Sequence, residues 1–245
     1  MESLSNEKMT QYQKERSYGT KDLIRLLIIS LIVSILIFIS FALFRLYKIP
    51  IFSIFEQNPD IGLLVDYLIF LPFVWFYYRK PRLITSIWSK MKEIVNLFSN
   101  QEFIRCLILL ISIKFIFLFL MYFFASNEFM DFSGFFRNKE FILKPLGILT
   151  TVILAPICEE VIFRGLIFGA VKQFNQYFAY MVSVSLFYVY HGAEASYLHI
   201  LLGIFFAFTF VRFNTLLAPI ILHSVHNMIF ILSLIIFRMF DKYGV

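Results

Sequence analysis

The chain has little charge for its length. Lys, Arg, Asp and Glu make up 16% of its 245 residues and hydrophobic residues make up 60%, whereas soluble domains carry roughly 25% charged and 45–50% apolar residues. This balance excludes an ordinary soluble protein and predicts an integral membrane protein. Spans of about 20 residues each leave room for one membrane domain and for no sizeable soluble domain.

Cysteine is also scarce. The two cysteines, Cys106 and Cys158, both lie in apolar runs, which excludes a disulfide framework and predicts small buried side chains. The polar tail of residues 1–22 has no short apolar core with a small-residue cleavage site, so we expect no cleaved signal peptide. The net charge of +6 comes from Lys and Arg scattered at the ends of apolar runs. Lipid headgroups and topology account for such charges, and we expect no nucleic-acid partner.

Long apolar runs predict the fold class. Seven runs are suited to membrane helices, at residues 23–46, 61–78, 103–125, 143–171, 178–190, 197–213 and 216–240. The fourth is too long for one upright helix and contains Pro145 and Pro156, so a kink or a split into two spans is predicted there. The predicted fold is therefore an all-α polytopic transmembrane bundle with seven to eight spans.

The distribution of charge subdivides this bundle and orients it. Residues 1–22 are predicted to be a polar cytoplasmic tail, because basic residues are frequent there and in residues 79–102 but sparser in the first loop. Residues 23–142 would form N-terminal transmembrane helices, in which residues 79–102 have the mixed make-up of an interfacial amphipathic helix. Residues 143–245 would form the C-terminal transmembrane helices. We expect a multi-pass protein of the cell membrane, and the Ile, Phe, Lys and Asn bias is typical of an AT-rich bacterial genome.

Besides Lys144 at its start, the apolar run at residues 143–171 contains three charges, namely Glu159, Glu160 and Arg164. An ionisable side chain at bilayer depth costs roughly 2.5–3.5 kcal/mol on insertion scales, so such a cluster usually marks a pathway, a binding site or a catalytic centre. Glu160 and Arg164 are four residues apart on a helix and can satisfy each other. Glu159 points about 100° away from Glu160 and needs another partner or a water molecule.

Polar residues of three later segments can reach the same depth. At about 1.5 Å per residue, Glu159, His191, His223 and Asn227 lie about 17–23 Å from the predicted cytoplasmic ends of their helices. A carboxylate, two imidazoles and an amide that meet at one level suit hydrolysis. Glu159 would take a proton from water and His191 would hold that water, while His223 and Asn227 would donate to the developing oxyanion.

The spacing of these residues resembles the motifs of one family, the type II CAAX prenyl endopeptidases and their bacterial relatives, also called the CPBP or Abi intramembrane proteases. The resemblance covers about residues 143–230. Three motifs occur in the family's order, EExxxR at Glu159, Glu160 and Arg164, FxxxH at Phe187 and His191, and HxxxN at His223 and Asn227.

The resemblance implies an all-helical membrane endopeptidase that works without a metal. It assigns water activation to Glu159 and His191 and the oxyanion hole to His223 and Asn227. The implied partner is a membrane-embedded or membrane-associated peptide or protein. Two departures stand out: Ala207 follows Gly203 where two glycines are often found, and Asn214-Thr215 replaces a frequent Thr-Gly turn.

Other interpretations stay open from the residues alone. Glu159 could be a structural charge satisfied by a hydroxyl of another helix, and Glu160 with Arg164 could be purely structural. One carboxylate and two histidines fit the ligand count of a hydrolytic zinc site, although the chain lacks HExxH. A non-catalytic scaffold or bacteriocin-immunity protein could keep the motifs for folding or partner binding, and a transporter could use the same charges. We expect no cofactor, and we expect His199 and His226 to be packed or interfacial.

Overall fold

The computed structural model describes residues 57–68, 70, 87–125, 140–192 and 197–243. Every regular element within these ranges is helical, in agreement with the predicted fold class. The predicted tail at residues 1–22 and the first predicted span at residues 23–46 lie outside the described residues. The predicted count of seven to eight spans therefore stays a prediction.

The described chain forms seven helices in sequence, with a 3₁₀ turn at Glu140–Leu143 before the fourth. They are α1 Pro59–Leu68, α2 Ile87–Phe98, α3 Gln101–Ala125, α4 Pro145–Val171, α5 Gln176–Tyr190, α6 Tyr197–Phe213 and α7 Leu217–Tyr243. Two stretches within these ranges are long and apolar enough to cross a membrane, α4 and Leu217–Ile236 of α7, or up to three if α2 and α3 form one bent span. The chain is thus a membrane protein with an apolar helical bundle.

Helix α4 is continuous, so the predicted split into two spans does not occur. Instead, the helix changes from α to the wider π geometry over two stretches, Thr150–Leu154 and Val161–Phe168. Pro145 lies in the first turn, where the missing N–H would have had no helical partner. Pro156 follows the first π-helical stretch, and a proline inside a helix removes a hydrogen bond and crowds the carbonyl four residues earlier. We attribute the wide turn before Pro156 to this crowding.

Helix α2 covers residues 87–98 of the predicted interfacial segment at residues 79–102. It meets α3 at an angle of 75° across a short break. Asn100 caps α3, since its side-chain oxygen accepts hydrogen bonds from the N–H groups of Glu102 at 2.9 Å and Phe103 at 3.3 Å. The steep angle is the one expected of an interfacial helix that leads into a span.

Three apolar clusters hold the helices of the site together. The first joins α2, α3, α6 and α7 through Leu97, Phe103, Leu110, Phe206, Ala218 and Leu222. The second joins α4 and the turn before it to α7 through Ile142, Val152, Ile231 and Leu234. The third joins α4, α5 and α6 through Phe168, Ala179 and Ala207. Ala207 is fully buried, so the alanine found where a second glycine is frequent still packs inside the bundle.

The turn between α6 and α7 depends on Asn214, which has a positive φ of 50°. Asparagine enters this left-handed region more readily than most residues, which explains how it can occupy a turn where glycine is frequent. The Thr215 hydroxyl accepts a hydrogen bond from the Leu217 N–H at 3.2 Å and donates to the Glu93 carboxylate. The turn is thereby fixed to α2, and α7 starts at a defined position relative to α2.

Candidate active site

Both neighbouring carboxylates of α4 are buried in the bundle. Glu159 is 4% exposed and Glu160 is fully buried. They lie on the α-helical turn Ala155–Glu160, between the two π-helical stretches, and their side chains are offset around the helix. Each carboxylate therefore has one partner that the other lacks, while one histidine lies near both.

Glu160 forms the predicted ion pair with Arg164. The Arg164 Nη1 atom lies 3.0 Å from Glu160 Oε1, and neither side chain has measurable exposure. Arg164 Nη2 donates to the Gly203 carbonyl at 3.0 Å, and its Cζ lies 4.6 Å and 5.7 Å from the ring centroids of Phe187 and Phe206. A buried charge needs such paired and hydrogen-bonded surroundings. Arg164 thus links α4 to α6 and to an aromatic residue of α5.

His223 of α7 lies against both carboxylates. Its Nδ1 is 3.0 Å from Glu160 Oε1 and its Nε2 is 3.8 Å from Glu159 Oε2. Since an ionised carboxylate only accepts hydrogen bonds, we assign a proton to Nδ1. The imidazole also stacks on Phe206, with ring centroids 4.7 Å apart and an interplanar angle of 19°. Two contacts therefore hold the ring with Nε2 toward Glu159.

Glu159 has a partner that the sequence motifs do not include. The Tyr67 hydroxyl of α1 donates to Glu159 Oε1 at 2.7 Å. This contact is of the kind expected for a structural charge satisfied by a hydroxyl of another helix, but it involves one oxygen only. Oε2 has no hydrogen-bond partner within the described part of the chain and faces His223. One oxygen of Glu159 thus accepts a hydrogen bond from α1, and the other lies toward α7.

His191 lies at the C-terminal end of α5, where it caps the helix. Its Nδ1 is 2.8 Å from the Phe187 carbonyl; because a carbonyl only accepts, we place the proton on Nδ1, which leaves Nε2 as an acceptor. The Phe187 ring lies between two imidazoles, 4.6 Å from the His191 centroid and 6.1 Å from the His223 centroid. Nothing described joins His191 directly to Glu159. His199, which we expected to be packed or interfacial, has its ring 4.3 Å from that of His191.

Asn227 lies one helical turn after His223 on α7. Its Nδ2 donates to the Thr151 carbonyl at 2.8 Å, in the first π-helical stretch of α4. An amide nitrogen carries two hydrogens, so this bond leaves one N–H of Asn227 for another acceptor. The predicted pair of His223 and Asn227 therefore faces α4 from the same helix, with each side chain oriented by a contact to α4.

The site residues predicted from the sequence fall in one segment that has known relatives. Residues 141–229 match the type II CAAX prenyl endopeptidase Rce1-like family. A stretch of 85 residues is 37% identical to "Putative membrane peptidase YdiL" of Bacillus subtilis (strain 168), and it covers 34% of this chain and 35% of that protein. No solved structure matches the chain with significance. The family predicted from the motifs is confirmed for this segment.

The Rce1-like segment, residues 141–229, does not contain Tyr67. It contains all four predicted site residues, Glu159, His191, His223 and Asn227. Tyr67 lies in an apolar run 92 positions before Glu159, and the sequence signal there is a charge followed by a hydroxyl, Asp66-Tyr67, which matches none of the three motifs. The contact of His223 with Glu160 was also not predicted, because i,i+4 reasoning pairs residues within one helix and these two lie on different helices. Both contacts require the tertiary fold.

A metal site was the open alternative for the Rce1-like segment. In the described ranges, no group of three or more His, Cys, Asp and Glu side chains is arranged to hold a metal ion. The zinc interpretation thus gains no support from the geometry of Glu159 and the histidines. The expectation of no cofactor stays a prediction.

Gly203 provides a stability test of the Rce1-like segment. A Cβ at this position would lie 3.2 Å from Val184 Cγ1 and 3.4 Å from Phe187 Cδ1, and the Gly203 carbonyl accepts from Arg164. We expect Gly203→Leu to lower the free energy of unfolding by about 1–3 kcal/mol through overpacking, and Gly203→Ala to have a smaller effect. Unfolding in detergent by denaturant titration would measure both. An unchanged stability of Gly203→Leu would contradict the described packing of α5 on α6.

Proposed function

We propose that the chain is an intramembrane endopeptidase that hydrolyses a peptide bond in a membrane-associated protein or peptide. The observation that supports this best is the state of Glu159, a buried carboxylate with Oε1 held by Tyr67 and Oε2 directed toward His223. A buried carboxylate with one oxygen oriented and one oxygen free is suited to act as a general base. Its position in a segment related to membrane endopeptidases favours proteolysis over the other uses of an intramembrane charge.

The proposed reaction uses a water molecule as the nucleophile. Glu159 takes a proton from the water while its oxygen attacks the carbonyl carbon of the scissile bond, and His191 holds the water through Nε2. The carbonyl oxygen becomes an oxyanion that accepts hydrogen bonds from His223 and Asn227. The intermediate then collapses, the C–N bond breaks, and the proton passes from Glu159 to the leaving amine. No metal takes part in these steps.

His223 can donate to the oxyanion only if Nε2 carries a hydrogen. Its Nδ1–H donates to Glu160, so the proposed role requires an N–H on both ring nitrogens. The imidazole lies 3.0 Å from Glu160 and 3.8 Å from Glu159, and these two carboxylates are the groups that would face an imidazolium. Opposite charges at such distances attract in a low-dielectric interior.

The location and substrate follow from the same proposal. We place the chain in the cell membrane as a multi-pass protein with a cytoplasmic N-terminus, and we assign it a bacterial origin. In such a cell a secreted signalling peptide, a bacteriocin-type peptide or another membrane protein is the substrate class that fits, rather than a prenylated protein.

A comparison of peptides tests the function even when the substrate has not been identified. Cells that carry wild-type protein, Glu159→Ala or a control variant would be compared by mass spectrometry of membrane and secreted peptides. Glu102→Ala is a suitable control, because this carboxylate lies at a half-exposed ion pair with Arg212 away from the site. We expect an uncut precursor to accumulate with Glu159→Ala alone.

Three outcomes separate the alternatives. A precursor that accumulates only with Glu159→Ala supports an endopeptidase. Identical peptide sets in all strains, at equal protein levels, contradict it and favour a scaffold or immunity protein. Glu159-dependent substrate flux in proteoliposomes without cleavage would instead favour a transporter.

A further inference from the structure

Tyr67 belongs to α1, outside the segment that matches the family, and yet its hydroxyl contacts the proposed base. The phenolic oxygen lies 2.7 Å from Glu159 Oε1, a short distance of the kind found when the acceptor is charged. Glu159 is 4% exposed, so water has little access to replace this donor. A buried carboxylate without a donor carries a large desolvation penalty. The Tyr67 hydroxyl is thus a hydrogen-bond donor to Glu159 that comes from outside the matched segment, residues 141–229.

Further contacts keep α1 against α4, so the position of the hydroxyl is set by helix packing. At one end of α1, Asp60 accepts from Lys144 at 2.9 Å, and Asp60 is 6% exposed. At the other end, the Cys158 thiol lies 3.8 Å from the Tyr67 carbonyl. Cys158 directly precedes Glu159 in the chain. The backbone of Tyr67 therefore contacts the residue next to Glu159, and the side-chain bond does not depend on a long mobile connection.

The bond distinguishes the two oxygens of the carboxylate. Because Oε1 accepts from Tyr67, rotation of the carboxylate is restricted and Oε2 stays directed toward His223 Nε2, 3.8 Å away. A general base works best when the reacting oxygen is held within hydrogen-bond reach of the proton that it takes. Tyr67 bonds to Oε1 of Glu159, which is not the oxygen that faces His223. Its effect on the reaction is therefore exerted through Glu159.

We propose that Tyr67 is a positioning residue of the active site, supplied by the N-terminal half of the chain, which orients Glu159 so that Oε2 serves as the base. This inference depends on the proposed endopeptidase function for its kinetic consequence. The hydrogen bond that it invokes can be tested without any activity. The catalytic unit would then extend beyond residues 141–229 to include α1.

The kinetic test compares three full-length variants with the wild type in proteoliposomes, on the substrate found by the peptide comparison. Tyr67→Phe removes the hydroxyl and keeps the ring, and Tyr67→Leu also removes the ring. Tyr177→Phe makes the same chemical change at a tyrosine that is 79% exposed. For a lost hydrogen bond to a charged group, we expect Tyr67→Phe to lower kcat about 10- to 100-fold with KM unchanged. Thermal stability should also fall, because the buried Glu159 carboxylate loses its donor. Tyr177→Phe should match the wild type.

An infrared measurement tests the contact itself. The Glu159 carboxylate band, identified by its loss in Glu159→Gln, should shift in Tyr67→Phe and stay unchanged in Tyr177→Phe. An unshifted band overturns the inference, and so does a wild-type kcat in Tyr67→Phe, even if Tyr67→Leu is unstable, because the ring would then serve packing alone. If the wild type shows no Glu159-dependent cleavage, the proposed function fails, whereas the infrared result still decides whether Tyr67 orients Glu159.

Discussion

Glu159→Gln is expected to lower the rate of peptide cleavage about 100- to 10,000-fold, the range that a positioned general base contributes. An amide has nearly the shape of a carboxylate but cannot take a proton from water. Its carbonyl oxygen can replace Glu159 Oε1 as the acceptor for the Tyr67 hydroxyl. The fold of the variant should therefore be preserved while the proposed chemistry is removed.

The measurement is kcat/KM of purified protein in proteoliposomes, with thermal unfolding of each variant recorded beside it. Glu102→Gln is the matched control, because it makes the same substitution at a carboxylate that is 48% exposed and paired with Arg212. A stable Glu159→Gln protein with wild-type activity would show that another group activates the water, or that cleavage belongs to a contaminating peptidase. His191→Ala distinguishes these two cases, since a contaminating activity would be unaffected by it as well.

The apolar runs of the sequence predicted the described helices well. The run at residues 197–213 is α6 with the same bounds, and the run at residues 103–125 lies within α3. This success has a physical basis, because a segment in lipid must satisfy its backbone hydrogen bonds internally and therefore becomes a helix over its whole apolar length. The presence of each of these helices thus follows from its own stretch of sequence and does not require knowledge of its neighbours in the fold.

The π-helical stretches of α4 were not predicted, because other helices take part in them. A π turn disturbs the regular ladder of backbone hydrogen bonds and such turns are frequent at functional sites. One carbonyl in each stretch accepts from a neighbouring helix instead, Thr151 from Asn227 at 2.8 Å and Phe163 from the Ser183 hydroxyl at 3.0 Å. The apolar periodicity of α4 contains no signal for these partners.

The candidate site was predicted to the extent that it depends on helix geometry. The ion pair of Glu160 and Arg164 follows from a separation of four residues, and it is present. Depth arithmetic predicted that His223 reaches the level of Glu159, and the two lie 3.8 Å apart. Depth does not specify how each helix is rotated about its own axis. That rotation decides which side chains meet, and the contacts of His223 with Glu160 and of His191 with Phe187 could not be predicted from depth.

Arg164→Met is expected to have the largest effect on stability of any single change in the site. Arg164 is fully buried, and its guanidinium bonds to Glu160 and to the Gly203 carbonyl. Removal of one member of a buried ion pair costs about 3–5 kcal/mol, because the other charge stays buried without compensation. Methionine keeps most of the apolar stem, so the loss can be assigned to the charge and its hydrogen bonds and not to a large cavity.

A double variant identifies the source of that loss. If the uncompensated Glu160 carboxylate is the cause, Arg164→Met combined with Glu160→Gln should recover part of the free energy of unfolding, which gives a coupling energy in a double-mutant cycle. Denaturant titration in detergent would measure the four proteins, and Arg212→Met would serve as control, since Arg212 is 52% exposed. Additive losses would contradict a direct pair.

Arg164→Lys tests the geometry separately from the charge. A lysine keeps the positive charge but lacks the planar fork that reaches Glu160 and the Gly203 carbonyl together between two aromatic rings. We expect an intermediate loss of stability, with a lower cleavage rate because His223 shares Glu160 Oε1 with Arg164. If Arg164→Lys retained full stability and lost activity, the guanidinium would serve the reaction more than the fold. If it lost stability and retained activity, the pair would be structural.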